Sequence, residues 1–168
     1  MIAIVDYGVG NLFSLSCSLK AVGADVVLAE VKKGKPLMGI CLGMQMLFEK
    51  SYEYGEYDGL GLLKGNVVGM EGRIPEELSI PHIGWNALKL KKQSPLFKYI
   101  NEGDCVYFVH SYFACDCDDS VTATAEYGAE ITACVEKNNV FGCQFHPEKS
   151  GDVGLKILKA FCEMEGTI

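Results

Sequence analysis

Near residue 41 a short apolar run passes into a helical pattern through a single residue, and this junction constrains the fold most. Residues 36–40 (PLMGI) have the length and composition of a buried strand, and residues 42–50 (LGMQMLFEK) favour a helix. A strand that feeds a helix directly is typical of α/β domains, where the connecting residue lies at the carboxyl edge of the sheet. We therefore predict an α/β fold with Cys41 at that edge.

The remaining sequence predicts further strands and two more helices. Before residue 30 it favours a strand at 2–5, a glycine-rich turn, a helix at 11–22 and a strand at 24–29. Strand-like runs follow at 60–70 and 83–90 and again from residue 104, with a turn signal at Asn138-Asn139. A last helix is predicted over Gly151–Met164, burying Val153, Leu155, Ile157, Leu158, Phe161 and Cys162. We expect one domain, residues 1–168, with a mostly parallel sheet flanked by helices and additional antiparallel strands.

Charge and composition exclude several kinds of partner. Fifteen Lys and Arg against 22 Asp and Glu give a net charge of -7, and no basic cluster extends beyond Lys32, Lys33 and Lys35. Nucleic acids and anionic membranes are therefore not expected partners. The N-terminal residues lack the pattern of a signal peptide, and no apolar run is long enough to span a membrane. We expect a cytoplasmic protein.

The cysteines do not follow a disulfide or metal pattern. There are eight of them, yet no CxxC pair occurs, and the three histidines (His82, His110 and His146) stand singly. In a cytoplasm such cysteines are reduced and mostly pack as small apolar side chains. We expect no metal and no other cofactor.

Glycines flank Cys41 at positions 39 and 43. They permit a sharp turn and a close approach of strand and helix. The N–H groups at the start of a helix lower the pKa of a thiol beside them and can stabilise an oxyanion. The junction alone fits a nucleophilic cysteine and a buried structural cysteine equally well.

A second motif, Gln144-Phe-His146-Pro-Glu148, ends the last predicted strand. Pro147 forces an extended exit from the strand, which gives His146 and Glu148 a defined relative orientation. A histidine near a thiol can hold the thiolate and then protonate a leaving amine, while a carboxylate can bond its other ring nitrogen. Taken alone, His146 fits a structural histidine as well.

The two motifs together, GxCxGxQ and FHPE about a hundred residues apart, resemble the triad or class I glutamine amidotransferases. The resemblance covers nearly the whole chain. It implies Cys41 as nucleophile, His146 as general base and acid, and Glu148 as the carboxylate that orients His146. The implied reaction is hydrolysis of the glutamine side-chain amide to glutamate and ammonia.

Four further stretches resemble one branch of that family: DYGVGN at 6–11, PHIGWN at 81–86, HSY at 110–112, and the KS that follows FHPE. Members of this branch pass ammonia to a (β/α)8-barrel cyclase in histidine biosynthesis. The resemblance implies that glutamine is held by Gln45, Leu42, His110, Ser111 and Tyr112. It implies a partner interface at Asn11, His82, Trp85, Asn86 and Lys149.

Trp85 is the only tryptophan, in a segment that alternates like an exposed edge strand. A surface tryptophan is a common interface anchor, although a core position is the alternative. Ammonia has to reach the partner rather than water. We therefore expect His82, Trp85, Asn86 and Lys149 on one surface, beside the mouth of the Cys41 pocket.

One connection is too short for the predicted fold. Six residues separate the strand at 24–29 from the strand at 36–40, whereas parallel neighbours need a crossover of about a dozen residues or more. Members of the resembled family carry here another strand, a PGxG turn that completes the oxyanion hole, and a helix. Either the 168 residues leave out a segment that the molecule carries, or the protein lacks it. We favour the first explanation, because residues 31–35 look like the end of an amphipathic helix.

Two other functions stay open on the sequence alone. A chain without the PGxG turn could be a regulatory or binding subunit of the same fold with impaired catalysis. A triad glutaminase of another pathway, serving anthranilate, aminodeoxychorismate or pyridoxal phosphate synthesis, is the other alternative, against which DYGVGN, PHIGWN and HSY stand jointly.

Overall fold

A computed structural model describes residues 31–164 of the chain. The larger of its two sheets is built from Leu37–Ile40 (β1), His82–Leu90 (β5), Cys105–His110 (β6), Val121–Glu126 (β8), Glu130–Lys137 (β9) and Val140–Cys143 (β10). The smaller sheet is built from Lys50–Ser51 (β2), Tyr57–Asp58 (β3), Asn66–Gly69 (β4) and Tyr112–Cys115 (β7). The two complete helices of this range are Leu42–Gln45 (α1) and Gly151–Met164 (α2).

The larger sheet has the strand order β1-β10-β9-β8-β5-β6, and the smaller sheet has the order β3-β2-β4-β7. Between residues 31 and 164 only β1 with β10 and β2 with β4 pair in parallel. The other pairs are antiparallel and include the hairpin predicted at Asn138-Asn139. The elements predicted at 2–5, 11–22 and 24–29 lie outside the described residues, so this range shows mainly the additional antiparallel strands of the expected fold.

The two helices agree with the sequence prediction to different degrees. Helix α2 has the predicted bounds, but Leu155 and Cys162, predicted to be buried, are exposed. The helix turns a narrow face to the sheet, with Gly154, Ile157 and Ala160 buried at intervals of three residues. Val153, Leu158 and Phe161, also predicted to be buried, lie at the borders of that face and are half-buried.

Helix α1 ends at Gln45 rather than at residue 50, so the predicted helix is too long. The carbonyl groups of residues 46–48 accept hydrogen bonds from the backbone N–H groups of residues 60, 61 and 63. A helix that reached residue 50 would need the Met46 carbonyl for the N–H of Lys50, and that carbonyl already accepts from Leu60. A contact with a later segment therefore ends the helix.

The larger sheet is covered on both faces where β9 and β10 lie, whereas β5 leaves one face exposed at Ile83 and Trp85. Helix α2 packs on one face, where Phe108, Phe145 and Ile157 are fully buried. On the other face, Met44 of α1 packs with Val67 of β4 and with β9 and β10. The adjacent ends of β1 and β10 lie between these two apolar clusters, which pack against them from both faces of the sheet.

Val31 and Lys32 end a helix and residues 33 and 34 form a turn, which agrees with the helix end predicted at residues 31–35. Gly34 has a φ of 88° and donates its backbone N–H to the Val31 carbonyl. Asn139 Nδ2 donates to the carbonyls of Val31 and Lys35 and so attaches this turn to the β9–β10 hairpin. The Glu30–Val31 junction lies outside the described residues.

No helix within the described range is long and apolar enough to cross a membrane.

Candidate active site

Cys41 forms a strained elbow between β1 and α1. Its φ is 51° and its ψ is -110°, in a region that residues with a side chain rarely adopt. Its backbone N–H donates to the Cys143 carbonyl of β10 at 2.7 Å. A Cβ on Gly39 would come within 2.5 Å of the Gly43 carbonyl oxygen. The elbow therefore requires glycine at position 39, because strand and helix backbones touch there.

The Cys41 thiol is half-buried, and hydrogen bonds surround it. Gln144 Nε2 donates to Sγ at 3.7 Å, and the S–H can donate to the Val109 carbonyl at 3.9 Å. Burial raises the pKa of the Cys41 thiol, and the carboxylates of Glu148 and Glu53 raise it further. The Leu42 backbone N–H and the Gln144 amide act in the opposite direction.

His146 and Glu148 lie just beyond the end of β10. His146 Nδ1 is 2.7 Å from Glu148 Oε1. The His146 backbone is fixed on both sides, because its N–H donates to the Tyr107 carbonyl and its carbonyl accepts from Ser150 Oγ. With Nδ1 engaged, Nε2 is the ring nitrogen that can exchange a proton with another group.

The register of the parallel pair brings the two motifs to one place. Ile40 of β1 pairs with Cys143 of β10, so Cys41 and Gln144 follow at the same level. The side chains of Cys41 and Gln144 are in contact, and Glu148 lies close enough to influence the thiol. The elbow and the histidine–carboxylate pair thus occupy neighbouring strand ends, as predicted for the carboxyl edge of a parallel pair.

Gln45 and Gln144 are buried and form what we call the amide line. Gln45 Nε2 donates to the Tyr112 carbonyl at 2.9 Å and to Gln144 Oε1 at 3.0 Å. Gln144 Nε2 continues to Cys41 Sγ. Both N–H groups of Gln45, a predicted glutamine-binding residue, are therefore engaged within the protein.

Two buried histidines and Asn86 form a second chain, which we call the imidazole line. His110 Nδ1 lies 2.8 Å from the Tyr112 carbonyl, and His110 Nε2 lies 3.1 Å from His82 Nδ1. His82 Nε2 lies 2.7 Å from Asn86 Oδ1, and Asn86 Nδ2 donates to the Glu126 carbonyl. Burial lowers the pKa of both imidazoles, to about 4 for His110. The Tyr112 carbonyl joins the imidazole line to the amide line.

The HSY segment passes from one sheet to the other. His110 ends β6 of the larger sheet, and Tyr112 begins β7 of the smaller sheet. The His110 ring is buried, with both nitrogens engaged, whereas Ser111 and Tyr112 are half-buried. Of the three, Ser111 and Tyr112 have side chains that a bound molecule can reach.

The expected interface residues do not share one surface. Trp85 is 56% exposed beside the exposed Ile83, but His82 is fully buried, so its predicted surface position is wrong. The reason is strand alternation: His82 and Trp85 are three residues apart on β5 and point to opposite faces of the sheet. Asn86 is half-buried and bonds His82, Lys149 is exposed beside Glu148, and Asn11 lies outside the described residues.

Trp85 nevertheless lies close to the candidate site. It pairs with Tyr107 across β5 and β6, and their ring centroids are 6.0 Å apart. The Tyr107 carbonyl is the group that accepts the backbone N–H of His146. One strand pair therefore connects the exposed tryptophan to the histidine of the site.

Gln144 stands inside the second motif, but its residue type and spacing alone predict no role for it. The sequence shows that Gln144 lies two residues before His146. Its contacts, however, depend on the β1–β10 register and on Gln45, which is 99 residues away in the chain. The seven cysteines between residues 31 and 164 are free thiols, and no cluster of three metal-ligating side chains occurs in that part of the chain.

Comparison with known proteins identifies relatives over almost the full length. The sequence model of the class I glutamine amidotransferase family matches residues 7–164. The imidazole glycerol phosphate synthase subunit HisH of Caldanaerobacter subterraneus subsp. tengcongensis is 46% identical, with 98% of each chain covered. The subunit of the same name from Lactococcus lactis subsp. lactis is 43% identical, covering 96% of this chain and 98% of the relative.

Solved structures show the same fold at lower sequence identity. A crystal structure of a glutamine amidotransferase superposes with a TM-score of 0.68 and 20% identity, covering 94% of this chain and 76% of the other. A glutamine amidotransferase from Thermotoga maritima gives a TM-score of 0.57 and 19% identity, and the match covers 91% of this chain and 56% of that one. At these identities the likeness concerns the fold alone.

The alignment with the Caldanaerobacter protein is longer than this chain. It extends over 203 positions, whereas the chain has 168 residues, so at least 35 aligned positions have no counterpart here. The relative therefore carries a stretch, or several, that this chain does not contain.

Proposed function

The chain belongs to the class I glutamine amidotransferases, and on that basis we propose that it is the glutaminase subunit of an imidazole glycerol phosphate synthase. It hydrolyses glutamine to glutamate and ammonia and delivers the ammonia to a (β/α)8-barrel cyclase subunit in histidine biosynthesis. The observation that carries the proposal is the β1–β10 register, which sets the Cys41 elbow beside the histidine–carboxylate pair. The near-full-length relatives named as this subunit support the pathway.

In the proposed reaction Cys41 attacks the side-chain amide carbon of glutamine, and His146 Nε2 takes the thiol proton. The Leu42 backbone N–H donates to the oxyanion that forms. The C–N bond then breaks, His146 returns the proton to the departing nitrogen, and ammonia leaves a thioester on Cys41. Water, deprotonated by His146, releases glutamate and restores the thiol, while Glu148 holds His146 through Nδ1.

Substrate and partner contacts follow from the same geometry. Ser111 and Tyr112 line the accessible side of the junction between the sheets and would contact glutamine, while Gln45 and His110 support them from within. Trp85 with Ile83, together with Lys149, would form the face toward the cyclase. Ammonia released beside His146 would thus leave next to the partner. We also propose a cytoplasmic location, which suits the free thiols of the described residues.

The experiment that tests the function is a pair of assays on the complex with the cyclase subunit. Wild-type complex should form product from either glutamine or ammonium salt. Cys41→Ser should abolish the glutamine-dependent reaction and leave the ammonium-dependent reaction intact, because supply and use of ammonia occupy different sites. Glutamine hydrolysis near the wild-type rate in Cys41→Ser would refute the assignment of the nucleophile.

A second candidate function is a catalytically impaired regulatory subunit of the same fold, which applies if the positions that this chain lacks against the Caldanaerobacter protein include the PGxG turn. We propose that the chain is a single glutaminase domain in which a segment is missing between about residues 29 and 36, where family members carry the PGxG turn. If the molecule lacks that turn, the oxyanion hole keeps only the Leu42 N–H. A wild-type complex that uses ammonium salt but never glutamine would identify the impaired subunit.

A further inference from the structure

We propose that Gln144 is a positioning residue for Cys41: its amide is held in one orientation and donates an N–H to the sulfur, which favours the thiolate. The inference deepens the proposed function and depends on it for the role of Cys41. It does not depend on the identity of the pathway or of the partner.

The orientation of the Gln144 amide is fixed by a group that can only accept. The Tyr112 carbonyl has no proton to give, so Gln45 must turn Nε2 toward it. The same nitrogen has a second N–H, which it donates to Gln144 Oε1. Gln144 is then left with Nε2 on the side of Cys41 Sγ. A flipped Gln144 amide would place two donors face to face at Gln45 and a carbonyl oxygen against the sulfur.

The backbone and burial of Gln144 reinforce this orientation. Its N–H donates to the Ala133 carbonyl of β9 at 2.8 Å, so the end of β10 is attached to its neighbour. The side chain is fully buried, and Gln45 is nearly so. Inside such a site, water does not replace a lost protein hydrogen bond without rearrangement. The amide line therefore has one arrangement that satisfies its members.

The groups around the thiol show why this N–H matters. Burial and the carboxylates of Glu148 and Glu53 all favour the neutral thiol, and the Val109 carbonyl can accept only from S–H. In the described part of the chain, the Leu42 N–H and the Gln144 amide are the donors that lower the pKa of Cys41. His146 stands beyond Gln144 on the same segment as a proton acceptor. Removal of one of two donors should move the thiol pKa upward.

The test is the pH dependence of Cys41 alkylation by iodoacetamide, followed by mass spectrometry of the Cys41 peptide. Only the thiolate reacts, so the midpoint of the profile reports the thiol pKa. Gln144→Glu keeps the shape and the acceptor for Gln45 but replaces the N–H beside the sulfur with a negative oxygen. Gln144→Met loses both polar groups and adds no charge. We expect the midpoint to rise by about one pH unit in Gln144→Glu, which means roughly tenfold less thiolate below it, and by less in Gln144→Met.

Gln93→Glu is the matched control, because it adds the same charge at an exposed position. Its Cys41 profile should equal that of the wild type, and the exposed Cys105 provides an internal reference for reagent and fold in every variant. Gln144→Met decides, because its shift cannot come from an added charge. A wild-type profile in Gln144→Met, or a shift in Gln144→Glu no larger than that of Gln93→Glu, would overturn the proposal.

A second readout distinguishes positioning from mere structure. In complex with the cyclase, Gln144→Met should lower kcat for glutamine hydrolysis and change KM little, since Gln144 faces the sulfur rather than the accessible side of the site. A wild-type complex without glutaminase activity would refute the proposed function. The alkylation profiles would still decide the role of Gln144.

Discussion

His146 Nδ1 and Glu148 Oε1 lie 2.7 Å apart across a turn that Pro147 begins. Local chain geometry, rather than a distant contact, therefore sets the orientation of the imidazole. The side chain of Glu148 is about half exposed, so water can replace part of what its carboxylate contributes.

This geometry predicts unequal effects of substitutions at the two residues. His146→Ala should reduce glutamine hydrolysis about as far as Cys41→Ser does, since loss of either member of a nucleophile–base pair removes nearly the whole effect. Glu148→Gln should be milder, because the turn still orients the ring. Steady-state glutaminase assays on the complex measure both. Equal losses of glutaminase activity in the two variants would show that the Glu148 carboxylate does more than orient the His146 ring.

Trp85→Ala should weaken association with the cyclase subunit by about 2 kcal/mol, as expected for an exposed aromatic anchor. That corresponds to a dissociation constant roughly 30-fold larger, which titration calorimetry resolves. Leu155→Ala is the control, because Leu155 is apolar and exposed to a similar extent but lies on α2. Equal affinities of Trp85→Ala and wild type would exclude the Trp85 face from the interface.

Gly39→Ala should destabilise the protein by about 1–3 kcal/mol or more, because the new Cβ would overlap the backbone of α1 at Gly43. Gly69→Ala in β4 is the matched change, since its Cβ would meet only the Tyr112 ring at 3.5 Å. Urea unfolding of both variants gives the difference. A Gly39→Ala protein as stable as Gly69→Ala would contradict the close approach of β1 and α1.

Acid should destabilise the protein partly through His110. Burial lowers the pKa of His110 to about 4, below the value near 6.5 of an unfolded histidine. Between these values the unfolded chain binds more protons than the folded one, so stability falls as the pH falls, by at most about 3 kcal/mol for this residue. His110→Gln should lose less stability than wild type between pH 7.5 and 4.5 in urea titrations. If the free energy of unfolding fell equally with pH in the two proteins, His110 would not contribute to the acid sensitivity.

Local patterns in the sequence predicted most of the fold between residues 31 and 164. The amphipathic period gave α2 its bounds, and Asn138-Asn139 marked the β9–β10 hairpin. The end of α1 was not predictable locally, because the backbone of residues 60–63 terminates it. The exposure of Leu155 was missed for a related reason: periodicity shows which residues share a face, but not how much of that face the sheet covers.

The candidate site divides in the same way. Cys41 and His146 stand in short motifs, and the resemblance that the two motifs carry together marked both residues as candidates. His82 was placed wrongly because its motif resembles an interface segment, although its distance of three residues from Trp85 already set the two on opposite faces. Gln144 acquires its role only through Gln45 and the strand register, which a single sequence does not contain.

The imidazole line begins and ends on backbone carbonyl groups, at Tyr112 and Glu126, and these groups can only accept hydrogen bonds. The number of hydrogens on the two imidazole rings therefore limits the hydrogen bonds of the line. His110 must keep a hydrogen on Nδ1, so its Nε2 is an acceptor. A neutral His82 then has one hydrogen for two acceptors, His110 Nε2 and Asn86 Oδ1. It can satisfy either, but not both, and the choice is a change of tautomer. The line therefore has two states with equal numbers of hydrogen bonds: in one His82 donates to Asn86 within β5, and in the other it donates to His110 at the end of β6, next to the junction of the two sheets.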